Sequence, residues 1–291
     1  MDITKDLRLR IIGLGKVGMS IAQALAQSGF SVQGMDVDQG NIDRGLKKVG
    51  LNLDTQVNKG KINPEEKSRI LSRIALSTDL GCVSDGDVVI EAVFEDMDTK
   101  KETFRKMDEV VASKEALLLT NTSSLSVTDI ASVTQRPEKV AGMHFFNPVP
   151  IMKLVEVVKG TMTADETVEQ VKALARLMGK TPIVSADSPG FIVNRMLNAL
   201  VVEATRIVEE GVGSVEDVDT GAKLGLGHPM GPLELIDYLN AIHLLQHVTD
   251  TMAVELGERF RLPLWVKNLV RAGKVGRESG RGFYDYPDTG R

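Results

Sequence analysis

The spacing of apolar residues along the chain changes several times, and each change marks an expected element. Residues 7–14 alternate at Leu7 and Leu9 and then turn apolar through Ile11, Ile12 and Leu14, which predicts a strand entering a sheet covered on both faces. A helix over 19–27, stopped by Gly29, and a second strand over 31–36 follow. Ile42, Leu46, Val49, Leu53 and Val57 then recur three to four residues apart, predicting a helix of roughly twenty residues with these five as its buried stripe. Asn63-Pro-Glu-Glu opens a short second helix ending near Ser72. Together these two helices are expected to stand off the sheet as an insertion. Strands over 73–78, 87–93 and 116–120 alternate with helices over 97–111 and 127–132. Two apolar runs, 140–146 and 154–158, then meet about a double-proline corner, ahead of a helix over 164–178 and a last strand over 181–184. Ser185-Ala-Asp-Ser-Pro189 ends that strand and sets proline just inside a helix start. Beyond it every segment reads as helix: 191–210, 215–224, a long one from Pro232 toward Leu256, and one carrying Trp265, Leu269 and Val270. A glycine-rich tail, 273–286, closes the pattern.

Alternating strands and helices followed by helices alone predict an α/β domain over residues 1–186 and an all-helical domain over residues 187–291. At 291 residues the chain is long enough for two cores. Its 40 acidic and 35 basic residues leave a formal charge of −5, so bulk charge does not favour nucleic acid as a partner. No apolar run approaches the roughly 20 residues that span a bilayer, and residues 1–7 lack the apolar core of a signal peptide, so the cytoplasm is expected. Cys82 is the only cysteine, which excludes an internal disulfide. His243 and His247 sit one helical turn apart without the glutamate of a metalloprotease pattern, and no metal is expected.

Chemistry enters first at Gly13-Leu-Gly-Lys-Val-Gly18, placed between a strand and a helix. Gly13 allows a tight turn, Gly15 lets the backbone approach a pyrophosphate, and Gly18 lets the helix pack close to the strand. Asp36 ends the next strand 18 residues beyond Gly18, where an acid holds a ribose diol and repels a 2′-phosphate, so NAD is favoured over NADP. The expected architecture is therefore a Rossmann-type doubly wound sheet. Glu91, Glu95 and Asp96 fall toward the sheet edge where ligands bind in such folds. Asn121-Thr-Ser-Ser-Leu125 reads either as a helix cap or as hydroxyls facing a ligand. Lys48, Asn52, Thr55 and Lys59 share one sector of their helix, with Lys61 beyond, and read either as a solvated face or as a phosphate-binding strip. If the runs about Pro150 pair antiparallel, His144 and Glu156 stand opposite each other, as an acid/base with its orienting carboxylate or as a satisfied core histidine. Asn194, a turn into the first helix after the boundary, reads as a helix-surface residue or as one turned toward a cleft between the domains.

Taken together, Asn-Thr-Ser-Ser-Leu at 121–125, His-Phe-Phe-Asn-Pro-Val-Pro at 144–150, Lys-Leu-Val-Glu at 153–156, Pro-Gly-Phe-Ile-Val-Asn-Arg at 189–195 and His-Pro-Met-Gly-Pro at 228–232 resemble the L-3-hydroxyacyl-CoA dehydrogenase family, most of all its bacterial 3-hydroxybutyryl-CoA members. The resemblance covers nearly the whole chain in order, with no sign of a fused hydratase domain or an organelle leader. It implies that His144 is the acid/base with Glu156 orienting it, and that Ser123 and Asn194 hydrogen-bond the reacting oxygen. It also implies NAD contacts at Gly13, Gly15, Gly18, Asp36, Glu95, Lys100, Ser123 and Asn147, CoA contacts at Asn52 and Lys59, an acyl-CoA substrate and a place in fatty acid and butanoate metabolism. The apolar-striped helices from Pro189 onward need a partner surface, which predicts a homodimer formed through the helical domain. Three positions depart from the family's pattern, one of them His228, where members vary and no role is assigned. Asn52 stands where some members have serine, and Glu278 stands where the family commonly has lysine near the cofactor, with Arg277 beside it. A dehydrogenase of a free hydroxy acid such as gulonate, and a non-catalytic cofactor-binding protein, remain as alternatives on this fold.

Overall fold

The computed structural model describes residues 1–286, and the chain divides into two compact units, Met1–Ser188 and Pro189–Arg291. In the first unit β1 (Leu9–Ile12) leads into α1 (Lys16–Gln27), β2 (Val32–Met35), α2 (Gln39–Asn58), α3 (Pro64–Ser72) and β3 (Ile74–Ser77). Then come β4 (Val88–Glu91), α4 (Met97–Val110), β5 (Leu117–Thr120), α5 (Val127–Ala131), β6 (Val140–Phe145), β7 (Leu154–Lys159), α6 (Asp165–Leu177) and β8 (Thr181–Ala186). The eight strands form one sheet in the order β3-β2-β1-β4-β5-β6-β7-β8. The first six run parallel, β7 is antiparallel to β6, and β8 is parallel to β7. The order reverses between β1 and β4, and the crevice at the carboxyl ends of strands beside such a reversal is where doubly wound folds take ligands. All positions of β4 and β5 are buried, as their unbroken apolar runs require of strands covered on both faces.

Two details of this unit differ from the sequence expectation. Leu46 is 40% exposed although it falls in the α2 stripe, while Ile42, Val49 and Leu53 are buried. A β-carbon on Gly45 would stand 2.7 Å from the Met19 side chain, so α1 approaches α2 at Gly45 and rotates the buried face away from Leu46. α2 packs on α1 and α3, and α3 packs on α1 and β3, so the helix pair joins the sheet through α1 and the edge strand. Asp96, expected at the ligand edge, is the N-cap of α4, accepting the Thr99 N–H at 2.9 Å.

The second unit consists of α7 (Val193–Glu209), α8 (Val215–Gly225), α9 (Pro232–Tyr238), α10 (Ile242–Leu256) and α11 (Leu264–Arg271), around a core that includes Val201, Leu233, Ile236, Leu245 and Val266. The single long helix expected from Pro232 toward Leu256 is two helices, broken at Asn240, whose φ of 54° is left-handed. Asparagine tolerates that conformation, and the tail exploits the break. A β-carbon on Gly276 would lie 2.7 Å from the Asn240 Cα, and the Glu278 N–H donates to Asn240 Oδ1 at 2.6 Å. Two buried acids complete the attachment: Asp219 accepts the Leu233 and Glu234 amides at the start of α9, and Asp237 accepts those of Phe283 and Tyr284.

Candidate active site

His144 sits on β6, whose six residues are all buried, directly opposite Glu156 on β7. The ring Nδ1 is 2.7 Å from Glu156 Oε2; the glutamate side chain is fully buried and the histidine is 5% exposed. A carboxylate in that place accepts the Nδ1 hydrogen, fixes that tautomer and leaves Nε2 with its lone pair. The ring also packs at 4.6 Å on Phe146 and lies in the wall of a cleft of about 960 Å³. A buried imidazole with a buried carboxylate on one nitrogen and a cleft beside it is equipped for proton transfer.

The glycine loop forms another wall of this cleft. Gly13 has φ 90°, and a β-carbon there would strike Ala92. Gly18 packs beneath the loop, where a β-carbon would lie 1.8 Å from the Gly13 carbonyl oxygen. Around Gly15 a β-carbon would meet nothing within 4 Å, so the backbone faces open cleft at the start of α1, whose N-cap carries no side-chain hydrogen bond. That is the cradle a dinucleotide pyrophosphate requires. Asp36 lines the same cleft, its carboxylate held by the N–H groups of Leu14 at 2.7 Å and Asp38 at 2.9 Å and by Asn41 Nδ2 at 3.2 Å.

Between the loop and His144 lies a charged network. Glu95 Oε1 accepts from Thr122 Oγ1 at 2.6 Å and the Ser123 N–H at 2.7 Å. Burial works to raise the Glu95 pKa, but the Lys100 charge and these donors outweigh it and hold the carboxyl below its usual range. Lys100, expected as a cofactor contact, is 1% exposed, and its ammonium lies 2.7 Å from Glu91 Oε1 and 3.2 Å from Glu95 Oε2. It lines the cleft as the brace of two carboxylates. Glu91, expected at the rim, is fully buried and also takes the Thr120 hydroxyl at 2.7 Å. Asn121 Oδ1 accepts the Phe145 N–H, which ties the Ser123 loop to the histidine strand.

A second cleft, of about 760 Å³, runs between α1, α2 and the corner after β6. Asn52, Lys59, Lys48 and Lys61 line it, as does Arg44. It meets the first cleft at Gly15, Lys16, Asn41 and Asn147, which belong to both walls. The lysine strip is therefore one side of a cavity adjoining the glycine loop.

Several functional candidates escaped the sequence reading. Gln27 donates to Gln56 at 3.0 Å, and with Gln23 these amides line the second cleft. Lys180 donates to the carbonyls of Val149 and Met152, both at 2.7 Å, and so braces the corner that carries Asn147; burial pushes its ammonium below the ordinary lysine value. Phe94, 81% exposed in the first cleft's wall, is a large ring left to solvent. Only the exposure of an aromatic carried a hint of any of these, and exposure is not written in a sequence. Asn194 lies in the first turn of α7 in the second unit, and Glu278 is exposed in the tail. Among the described residues no group of three His, Cys, Asp or Glu is placed to hold a metal ion, and no helix is long and apolar enough to cross a membrane.

Two family models match this chain: the NAD binding domain of 3-hydroxyacyl-CoA dehydrogenase over residues 8–188 and the C-terminal domain of 3-hydroxyacyl-CoA dehydrogenase over 190–286. The chain is 42% identical over 282 residues to a probable 3-hydroxybutyryl-CoA dehydrogenase of Bacillus subtilis, covering 97% of this chain and 98% of that one. It is also 42% identical to the 3-hydroxybutyryl-CoA dehydrogenase of Clostridioides difficile, over 96% of this chain and 99% of the relative. The crystal structure of an (S)-3-hydroxybutyryl-CoA dehydrogenase from Ralstonia eutropha superimposes with a TM-score of 0.93 at 38% identity, covering 97% of this chain and 99% of the other.

Proposed function

The chain belongs to the 3-hydroxyacyl-CoA dehydrogenase family, and we propose that it interconverts (S)-3-hydroxybutyryl-CoA and acetoacetyl-CoA with His144 moving the proton. It is an NAD-dependent oxidoreductase, and the residues of the first cleft fit the cofactor: the open cradle at Gly15 suits a pyrophosphate and Asp36 suits a ribose diol. Bound there, the nicotinamide supplies hydride transfer. His144 takes the proton of the C3 hydroxyl at Nε2 during oxidation and returns it during reduction. Glu156 keeps Nδ1 protonated and stabilises the imidazolium that forms. Ser123 hydrogen-bonds the C3 oxygen, while Glu95, braced by Lys100, holds the Ser123 backbone in place. The second cleft takes the CoA portion, with Lys59 and its neighbours meeting phosphate and Asn52 contributing a hydrogen bond.

The observation that carries this reading is the buried 2.7 Å His144–Glu156 pair in the wall of a cleft that also contains the glycine loop. A dehydrogenase of a free hydroxy acid would share that pair but has no use for a lysine-lined cleft beside it. A non-catalytic role is disfavoured by the same intact pair. Two copies associate through the helical unit, a reading supported by the exposed Met196, Leu224, Val254 and Leu264 on its helices. A cytoplasmic location goes with substrates that are charged and do not cross membranes unaided. Following NADH oxidation with acetoacetyl-CoA, with free acetoacetate and with NADPH in place of NADH tests the assignment. Turnover of the free acid comparable to that of the thioester would overturn it.

A further inference from the structure

Lys16 is the residue of the glycine loop to which none of the chemistry above gives a task. It is exposed, and it lies in the walls of both clefts, at the strip of chain where they meet. Among the described residues its ammonium has neither an ion-pair nor a hydrogen-bond partner, whereas Arg44, in the second cleft, has Asp38 within 3.6 Å. The acid lining the first cleft nearby, Asp36, already has its oxygens engaged by Leu14, Asp38 and Asn41. Lys16 is also the first residue of α1, where a cation opposes the helix dipole and an anionic side chain would be preferred. The first turn of that helix holds no acidic residue to offset it. An unpaired cation kept where local electrostatics disfavours it, between two cavities, marks a position whose partner arrives from outside.

We propose that Lys16 is a phosphate ligand common to the two clefts, its ammonium reaching the diphosphate of the dinucleotide on one side and a phosphate of the CoA on the other. The inference rests on the reading that the second cleft holds CoA. A lysine on its flexible four-carbon stem suits this double service better than a fixed donor, because the ammonium acts as a point charge without a preferred approach plane. Phosphates held in two adjoining clefts repel each other, and a cation lining both lowers that repulsion.

The test compares wild type with Lys16→Ala and Lys16→Arg in direct binding. NADH is titrated by fluorescence without substrate and free CoA by calorimetry without cofactor, each at low and high salt. Loss of one exposed charge-assisted contact should weaken both ligands by about three- to tenfold at low salt in the alanine variant. The deficit should shrink at high salt, and arginine should restore both affinities. Weakening of one ligand alone would confine Lys16 to a single cleft and overturn the proposal, as would unchanged affinity for both. Failure of CoA to bind the wild type would instead remove the reading of the second cleft, and this inference with it. The side chain is exposed, so neither variant disturbs a core.

Discussion

Nδ1 of His144 and Oε2 of Glu156 lie 2.7 Å apart across an antiparallel strand pair, brought face to face by a chain that turns between residues 144 and 156. His144→Gln should abolish turnover while leaving NADH affinity near that of the wild type, because the imidazole moves a proton and does not hold the dinucleotide. Glu156→Gln should cost about 100-fold or less in kcat, since it removes orientation and charge stabilisation but leaves the base. Steady-state kinetics beside fluorescence titration checks both, and near-normal turnover in the glutamine-144 variant would end the mechanism.

Asp36 carries the cofactor choice. Asp36→Ala should narrow the preference for NADH over NADPH by about tenfold or more, since the acid both accepts from the ribose diol and repels a 2′-phosphate. The ratio of kcat/KM for the two cofactors is the readout. A ratio that does not move would take Asp36 away from the ribose.

Lys59 separates acyl-CoA from free-acid substrates. Lys59→Ala should raise the KM for acetoacetyl-CoA far more than that for NADH and leave kcat largely intact, because a remote contact made equally in ground and transition states contributes uniform binding. The rise should fade with added salt, the lysine being exposed. An unchanged KM at low salt would return Lys59 to the solvated face.

Lys100 braces two carboxylates, one of them fully buried. Lys100→Met leaves Glu91 charged and unpaired in the interior and should destabilise the fold by on the order of 3–5 kcal/mol, read from the urea midpoint. The sign with pH follows from Glu95, whose folded pKa is depressed by Lys100 and its donors against the opposing effect of burial. Its stabilising contribution is present above the ordinary glutamate pKa and is lost as pH falls through the lowered folded value. Wild type should therefore lose stability on acidification, and the Glu95→Gln variant should lose less over the same range.

The helical unit should hold two copies together. Light scattering at micromolar concentration is expected to give the mass of a dimer, and Leu224→Glu with Val254→Glu, both on exposed positions, should shift it toward a monomer. A monomeric wild type would remove the assembly from this reading.

Much of the architecture was legible because it is written in near neighbours. The apolar runs of β4 and β5 require a sheet covered on both faces, the glycine spacing of 13, 15 and 18 requires a strand-loop-helix turn, and the symmetry of 144 and 156 about Pro150 follows from pairing two runs across one corner. Asn63-Pro placed the start of α3 as expected. Each depends on dihedral preference or on a period of two or about 3.6 residues, which near neighbours in the chain set between them.

What the chain order could not supply was decided by partners distant in sequence. Leu46 has the spacing of a core residue, but the approach of Met19 to Gly45 chose a different face of α2. The apolar pattern from Pro232 onward runs through Asn240 without a pause, yet Gly276 and Glu278 of the tail occupy a break there. Lys100 enters from the family resemblance as a cofactor contact, and only Glu91 and Glu95 folding around it make it a buried brace. Lys180 joins the site by reaching two carbonyls 31 and 28 residues earlier in the chain. Periodicity states which residues are able to be buried. Which of them are, and which charges are buried with them, is settled by desolvation and pairing between segments that meet only in the folded molecule.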